Sequence, residues 1–147
     1  MLKKIMKIAL ASASLVLPLT ALAASPLGTW KTIDDVTGKP KSLVTIEEHN
    51  GKFSGKVAMI LDKSRRNDIC KVCTGYRKNK KIEGMTVLWD MQKDGSKYDG
   101  GKVLDPESGN IYSANMKLIN HGNELEVRGY IGLPMLGRSQ TWLRVNS

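Results

Sequence analysis

Catalytic signatures are missing from this chain. It has no G-x-S-x-G, no H-E-x-x-H and no glycine-rich loop that would cradle a phosphate; its glycines are scattered among turns. No hydrolase elbow, zincin helix or nucleotide loop can therefore be assigned. Asp90, Asp99, Asp105 and Glu107 offer carboxylates, but Asp105-Pro106 reads first as turn chemistry. Histidine occurs twice, as His49 and His121, each inside an Asn/Gly turn, where a turn role takes precedence over metal ligation. Cysteine also occurs twice, so a four-ligand zinc site lacks its second pair. Aromatics are few: one Phe, three Trp and four Tyr. No stretch of the chain sustains a 3.6-residue apolar period, and there is no internal repeat or low-complexity tract. The expectation is a non-enzyme with no metal and no cofactor.

The one long apolar run lies at the start. Lys3, Lys4 and Lys7 precede an apolar stretch from Ile8 to Leu19, and Ala21-Leu22-Ala23 supplies an A-x-A cleavage site. The stretch is short for a membrane span, and no cysteine follows the cleavage site to carry a lipid. Residues 1–23 read as a signal peptide and residues 24–147 as one domain, periplasmic or secreted and not membrane-spanning after cleavage. Loss of three lysines lowers the formal charge from +9 to +6, so the exported form stays basic. In that compartment a basic surface meets anionic lipid or envelope polymers rather than nucleic acid. Cys70 and Cys73 form a C-x-x-C, and an even pair in an oxidising compartment is expected to form a disulfide that shapes its loop.

From Gly28 onward, short β-forming runs alternate with turns. Val44 and Ile46 alternate with Thr45 and Glu47 before the His49-Asn50-Gly51 turn, and Leu125, Val127, Gly129 and Ile131 alternate with Glu124, Glu126, Arg128 and Tyr130. The last strand, with Gln140, Trp142 and Arg144 on one face, ends almost at the terminus, and nothing after it can cover an edge. It must pair on both sides, its second partner being the strand around Gly28-Thr29-Trp30. The pattern predicts an all-β fold, an antiparallel up-and-down barrel of about eight strands. Connections then alternate between two ends: the His49 and His121 turns fall at one, here called the near end. The Thr37 turn, the long Asp62–Gly84 loop, the Asp105-Pro106 turn and the Gly132-Leu133-Pro134 loop fall at the other, the far end.

G-x-W at Gly28 and Trp30, with Arg144 brought over the indole from the last strand, is similar to the calycin signature of lipocalins and fatty-acid-binding proteins. Across the whole of residues 24–147 the chain resembles the exported bacterial family known as domain of unknown function 2147. The resemblance rests on Gly28-Thr29-Trp30, Cys70-Lys71-Val72-Cys73-Thr74-Gly75, Gly100-Gly101-Lys102-Val103-Leu104-Asp105-Pro106, Gly109-Asn110-Ile111-Tyr112 and the run from Arg128 to Arg138. It implies a lipocalin-like barrel and export, and it implies no activity.

Alternation places Met59, Trp89, Tyr112, Met116 and Val127 on inward faces, and Gly55 and Gly129 among them leave space. These five side chains are the candidate lining for a small apolar or amphipathic ligand. Arg138, with the Lys and Arg of the Asp62–Gly84 loop, would meet an anionic head group at the far mouth. Gly28, Trp30 and Arg144 are assigned to barrel closure. Two other readings use the same residues: a filled barrel acting in the envelope through its basic surface, and a redox enzyme using Cys70 and Cys73. Intact-mass measurement of the exported protein is expected to show a chain beginning at Ala24; a chain retaining residues 1–23 would refute the leader assignment.

Overall fold

A computed structural model describes residues 9–18 and 23–146; most of the expected signal peptide, residues 1–8 and 19–22, lies outside the described residues. Eight antiparallel strands close into a barrel in chain order. They are β1 (Gly28–Ile33), β2 (Pro40–His49), β3 (Lys52–Ile60), β4 (Thr86–Asp94), β5 (Lys97–Leu104), β6 (Ile111–Ile119), β7 (Glu124–Tyr130) and β8 (Arg138–Arg144). The long loop contributes no strand, only the isolated bridge Ile69↔Lys81. The four larger connections therefore all fall at the far end, as the sequence predicts.

Closure is narrow. β1 meets β8 through Trp30↔Arg144 and Lys31↔Leu143, and the seam is reinforced by one side chain. The Arg144 guanidinium lies 4.2 Å from the centre of the Trp30 ring and donates to the carbonyls of Gly122 (2.8 Å), Leu27 (2.9 Å) and Ser25 (2.6 Å). Trp30 Nε1 donates to Pro26 O at 2.8 Å, and Pro26 is buried. Residues 25–27 are thus tied across the near end and stop it. A buried indole needs a partner for its N–H, and here that partner is the same segment that seals the barrel.

Strand faces depart from simple alternation where β-bulges insert residues. Between Leu43↔Met59 and Val44↔Val57 the register shifts by one, which makes Ala58 an extra residue. A one-residue slip sends every later side chain to the other face. Met59, expected inside, consequently stands on the outer wall beside Leu43, and Ile60 takes the inward place against the core. In β4 two further shifts, between Phe53↔Met91, Gly55↔Leu88 and Lys56↔Thr86, mark extra residues at Asp90, whose φ is 58°, and at Val87. Leu88 and Met91 become the buried pair. Trp89, also expected inside, pairs with the exposed Lys102 and shares its outer face.

The bulkiest interior side chains gather towards the near half, while Cys70, Cys73, Met85 and Leu104 extend the buried cluster to the far end under the long loop. Trp30, Ile46, Met91, Met116 and Leu125 are fully buried, and Phe53 stacks edge-on against Tyr98 with ring centres 4.9 Å apart. Gly101 is required by this packing, because a Cβ there would stand 2.5 Å from Met91 Sδ. Trp30→Ala should cost about 3–5 kcal/mol in urea unfolding, since it removes the central indole and frees residues 25–27. Burial pushes the Tyr98 phenol above the ordinary tyrosine range, and the Glu48 carboxylate adds to the shift. The folded state resists the phenolate, so stability is intact below the ordinary tyrosine pKa and falls as pH rises through and beyond it. Tyr98→Phe should therefore unfold at higher pH than the parent in an alkaline titration followed by circular dichroism.

Candidate functional site

The inward face changes character from one end of the barrel to the other. A side chain with no accessible area borders no void that a water molecule could enter, and this holds for Trp30, Leu88, Met91, Ala114, Met116 and Leu125. Towards the far end the inward rows are Thr32↔Ser42↔Ile60, Val103↔Tyr112, Ala114↔Gly129↔Arg138 and Val127↔Gln140. Of these, Ser42, Ile60, Val103, Tyr112, Gly129 and Gln140 keep partial access to solvent. The inward face is closed towards the near end and becomes partly accessible only at the far mouth, where a shallow cup opens above the buried Leu88 and Ala114. Gly129 matters to the cup, because a Cβ at that position would press on Val103 (3.2 Å) and Tyr112 (3.4 Å).

Polar groups are spaced around the cup wall. Thr32 and Ser42 share a hydroxyl hydrogen bond of 2.7 Å. Gln140 accepts from Trp142 Nε1 (3.1 Å) and donates from Nε2 to Asp35 Oδ2 (3.3 Å). Arg138 Nη2 reaches the same Asp35 oxygen at 3.3 Å while most of its side chain stays in water. Tyr112 OH accepts from Asn110 Nδ2 at 3.2 Å. Asp35 belongs to the β1–β2 turn, whose geometry is set by Asp34: its carboxylate accepts from the Val36 and Thr37 amides at 2.9 and 2.7 Å. The hydrogen bonds from Thr37, with smaller help from Val36 and Lys41, hold Asp34 below the ordinary aspartate range. A single carboxylate thus sits against an arginine and an amide at the lip, which is the arrangement an incoming acid or phosphate would replace.

Of the expected lining residues, Tyr112 stands at the cup wall, Val127 is buried midway, Met116 is part of the closed floor and Arg138 is at the lip. Met59 and Trp89 lie outside, for the bulge reasons given above. Thr32, Ser42, Gln140 and Asp35 were missed. The signal for Gln140 was present, because a polar residue shares its face with Trp142 and Arg144 in the last strand.

The Asp62–Gly84 loop stands at the far end, but part of it folds down the outer wall instead of ringing the mouth. Arg77 places its guanidinium between the rings of Tyr76 (4.6 Å) and Trp89 (4.3 Å), with Nε buried and without a hydrogen-bond partner. The contacts with both rings favour the guanidinium charge there. Cys70 and Cys73 are joined as a disulfide and both sulfurs are buried. Cys70 Sγ lies 3.4 Å from Pro106 O, and Gly109 leaves the carbonyl of Val72 no room for a Cβ at that turn. The pair closes a tight ring within the loop, and that ring packs against the β5–β6 turn. Outside it runs a cleft of about 630 Å³ lined by Arg65, Asp68, Ile69, Val72, Ile82 and Glu107 among others.

Residues 28–144 match the family model described as an uncharacterized protein conserved in bacteria (DUF2147). The chain belongs to that family. It is similar to the solved structure of protein HP1028 from the human pathogen Helicobacter pylori, described as belonging to the lipocalin family, with 26% identity, 84% of each chain covered and a TM-score of 0.73. No curated protein matches the chain. The DUF2147 member described here therefore has a lipocalin-like barrel, as its G-x-W and closing arginine suggested. Because Cys70 and Cys73 close only a short loop, the double variant Cys70→Ala/Cys73→Ala should lose no more than about 2 kcal/mol in urea unfolding. Its near-ultraviolet tryptophan signal should persist; loss of that signal would mean that the loop holds up the barrel.

Proposed function

We propose that this protein is an exported binding protein, a carrier or sensor in the bacterial envelope, which takes a small apolar or amphipathic molecule into the far half of its barrel. One observation carries the reading: the inward face passes from a floor without accessible area to a partly accessible wall that mixes Val103, Ile60 and Gly129 with Thr32, Ser42, Tyr112 and Gln140. A site of that kind suits a ligand with an apolar body and a polar end. The apolar body would rest on Val127 and Val103, and an anionic end would displace Asp35 from Arg138. The lipocalin-like fold supports the reading, and the disulfide and the leader sequence support export. An enzymatic role using the cysteines is disfavoured, since exchange chemistry needs an accessible sulfur and both are buried.

A second reading has its own support. The closed floor around Met116 and Leu125 is what a filled barrel would show, and such a protein would act through its basic surface alone.

Native mass spectrometry of protein taken from its own envelope, followed by titration with long-chain fatty acids, separates the two. The carrier predicts a stoichiometric adduct or saturable binding, and Arg138→Glu should weaken binding of the acid by roughly 10-fold or more, the worth of a charge-assisted hydrogen bond. Absence of both adduct and binding would favour the filled barrel.

A further inference from the structure

The far rim carries a feature that the cup does not use. Between β7 and β8 the chain shows Ile131, Leu133, Met135 and Leu136 at 73%, 57%, 77% and 74% exposure, within six residues. Val36 on the β1–β2 turn and Tyr76 on the long loop are exposed at the same end. A run of apolar side chains held in water at the tip of a small protein marks a surface that is covered in use.

The β7–β8 loop is built to hold this display. Arg128, from β7, donates to Pro134 O (2.6 Å), Met135 O (3.4 Å) and Ser139 Oγ (2.9 Å). The Leu136 amide returns to Leu133 O at 3.0 Å and the Gly137 amide to Pro134 O at 3.2 Å. Gly137 lies so close to the Gly129 carbonyl that no Cβ fits there. The carbonyls of Leu133, Pro134 and Met135 are thereby satisfied from within the protein, which is the condition for placing backbone in a medium poor in water.

Charge identifies the medium. Lys39, Lys63, Lys71, Lys78, Lys80 and Lys81 all lie in the far-end connections and are exposed, and among the described residues none of them enters a salt bridge. The carboxylates of that end are already engaged: Asp35 with Arg138, Asp68 with Arg65, Glu107 and Asp34 with Lys41, Glu83 with the Ile60 amide, and Asp62 and Asp105 with their own turns. Free lysines in the connections of the end that carries a short apolar finger fit an interface of anionic head groups over acyl chains.

We infer that the far end of the barrel docks on an anionic phospholipid membrane, with Leu133, Met135 and Leu136 entering the head-group boundary and exposed lysines of the far-end connections, Lys39 on the β1–β2 turn among them, meeting the lipid phosphates. This goes beyond the ligand site and stands whether or not the cup is occupied. The orientation turns the cup mouth towards the bilayer.

Co-sedimentation of residues 24–147 with vesicles of phosphatidylethanolamine and phosphatidylglycerol tests the proposal. Binding is expected to such vesicles, to fall as salt is raised, and to be at least about 10-fold weaker on phosphatidylcholine, given that each basic residue near an anionic surface contributes appreciably. Leu133→Ser/Leu136→Ser should lower the partition coefficient by about 10-fold or more, as two exposed leucines lose their transfer gain. These positions are exposed, so folding is expected to survive, and circular dichroism checks it. An environment-sensitive dye on Met135→Cys should shift to the blue on anionic vesicles, whereas the same dye on Ser96→Cys, in the near-end β4–β5 turn, should not. The proposal is overturned if the parent ignores anionic vesicles, if the double variant binds as the parent does, or if the dye at Ser96→Cys shifts instead. It is also overturned if sedimentation equilibrium shows the finger buried between two copies of the chain, with vesicle binding absent.

Discussion

Everything in this barrel depends on a seam two residue pairs long. β8 pairs with β7 on one side, and its other edge would be a template for aggregation unless β1 covered it. Two pairs alone make a weak ladder. Arg144 compensates by stacking on Trp30 and tying down the three carbonyls of Ser25, Leu27 and Gly122, so the chain start, the β6–β7 turn and the seam share one side chain. That economy also closes the near end, and a barrel with one end stopped can open only at the other.

The open end takes its character from a second constraint, the volume of an eight-stranded interior. Such a barrel is just wide enough to be filled by its own side chains or to hold one small molecule. Here large residues, Trp30, Met91, Met116, Trp142 and the Phe53–Tyr98 pair, fill the near half, and small or polar ones, Gly129, Thr32, Ser42 and Gln140, line the far half. The disulfide belongs to neither half. It shapes the long loop where that loop packs on the β5–β6 turn, and Arg77 on Trp89 holds the same loop to the outer wall.

Much of the architecture was legible in advance because it follows from local rules. Turn chemistry at Asn50-Gly51, Gly95-Ser96 and Asn120–Gly122 marked the near-end hairpins, and alternation in β6 and β7 was followed without a break. The candidate site was less legible. Met59 and Trp89 were placed inside by counting in twos, and the count fails wherever a bulge inserts a residue. Ala58 carries no local mark of its bulge. Asp90 holds a positive φ that an aspartate tolerates but does not announce.

The sequence by itself determined the fold class, the order and connectivity of the strands, their closure through Trp30 and Arg144, and the collection of four larger connections at one end. These follow from hydrophobic period, turn residues and an edge that could not be left bare. Only the tertiary structure decided which side chains face inward beyond each bulge, that the interior is packed below a partly accessible far mouth, and that Asp35 crosses to Arg138 and Gln140. Those outcomes rest on register between strands and on how side-chain volumes share one interior, and neither quantity is carried by any single strand.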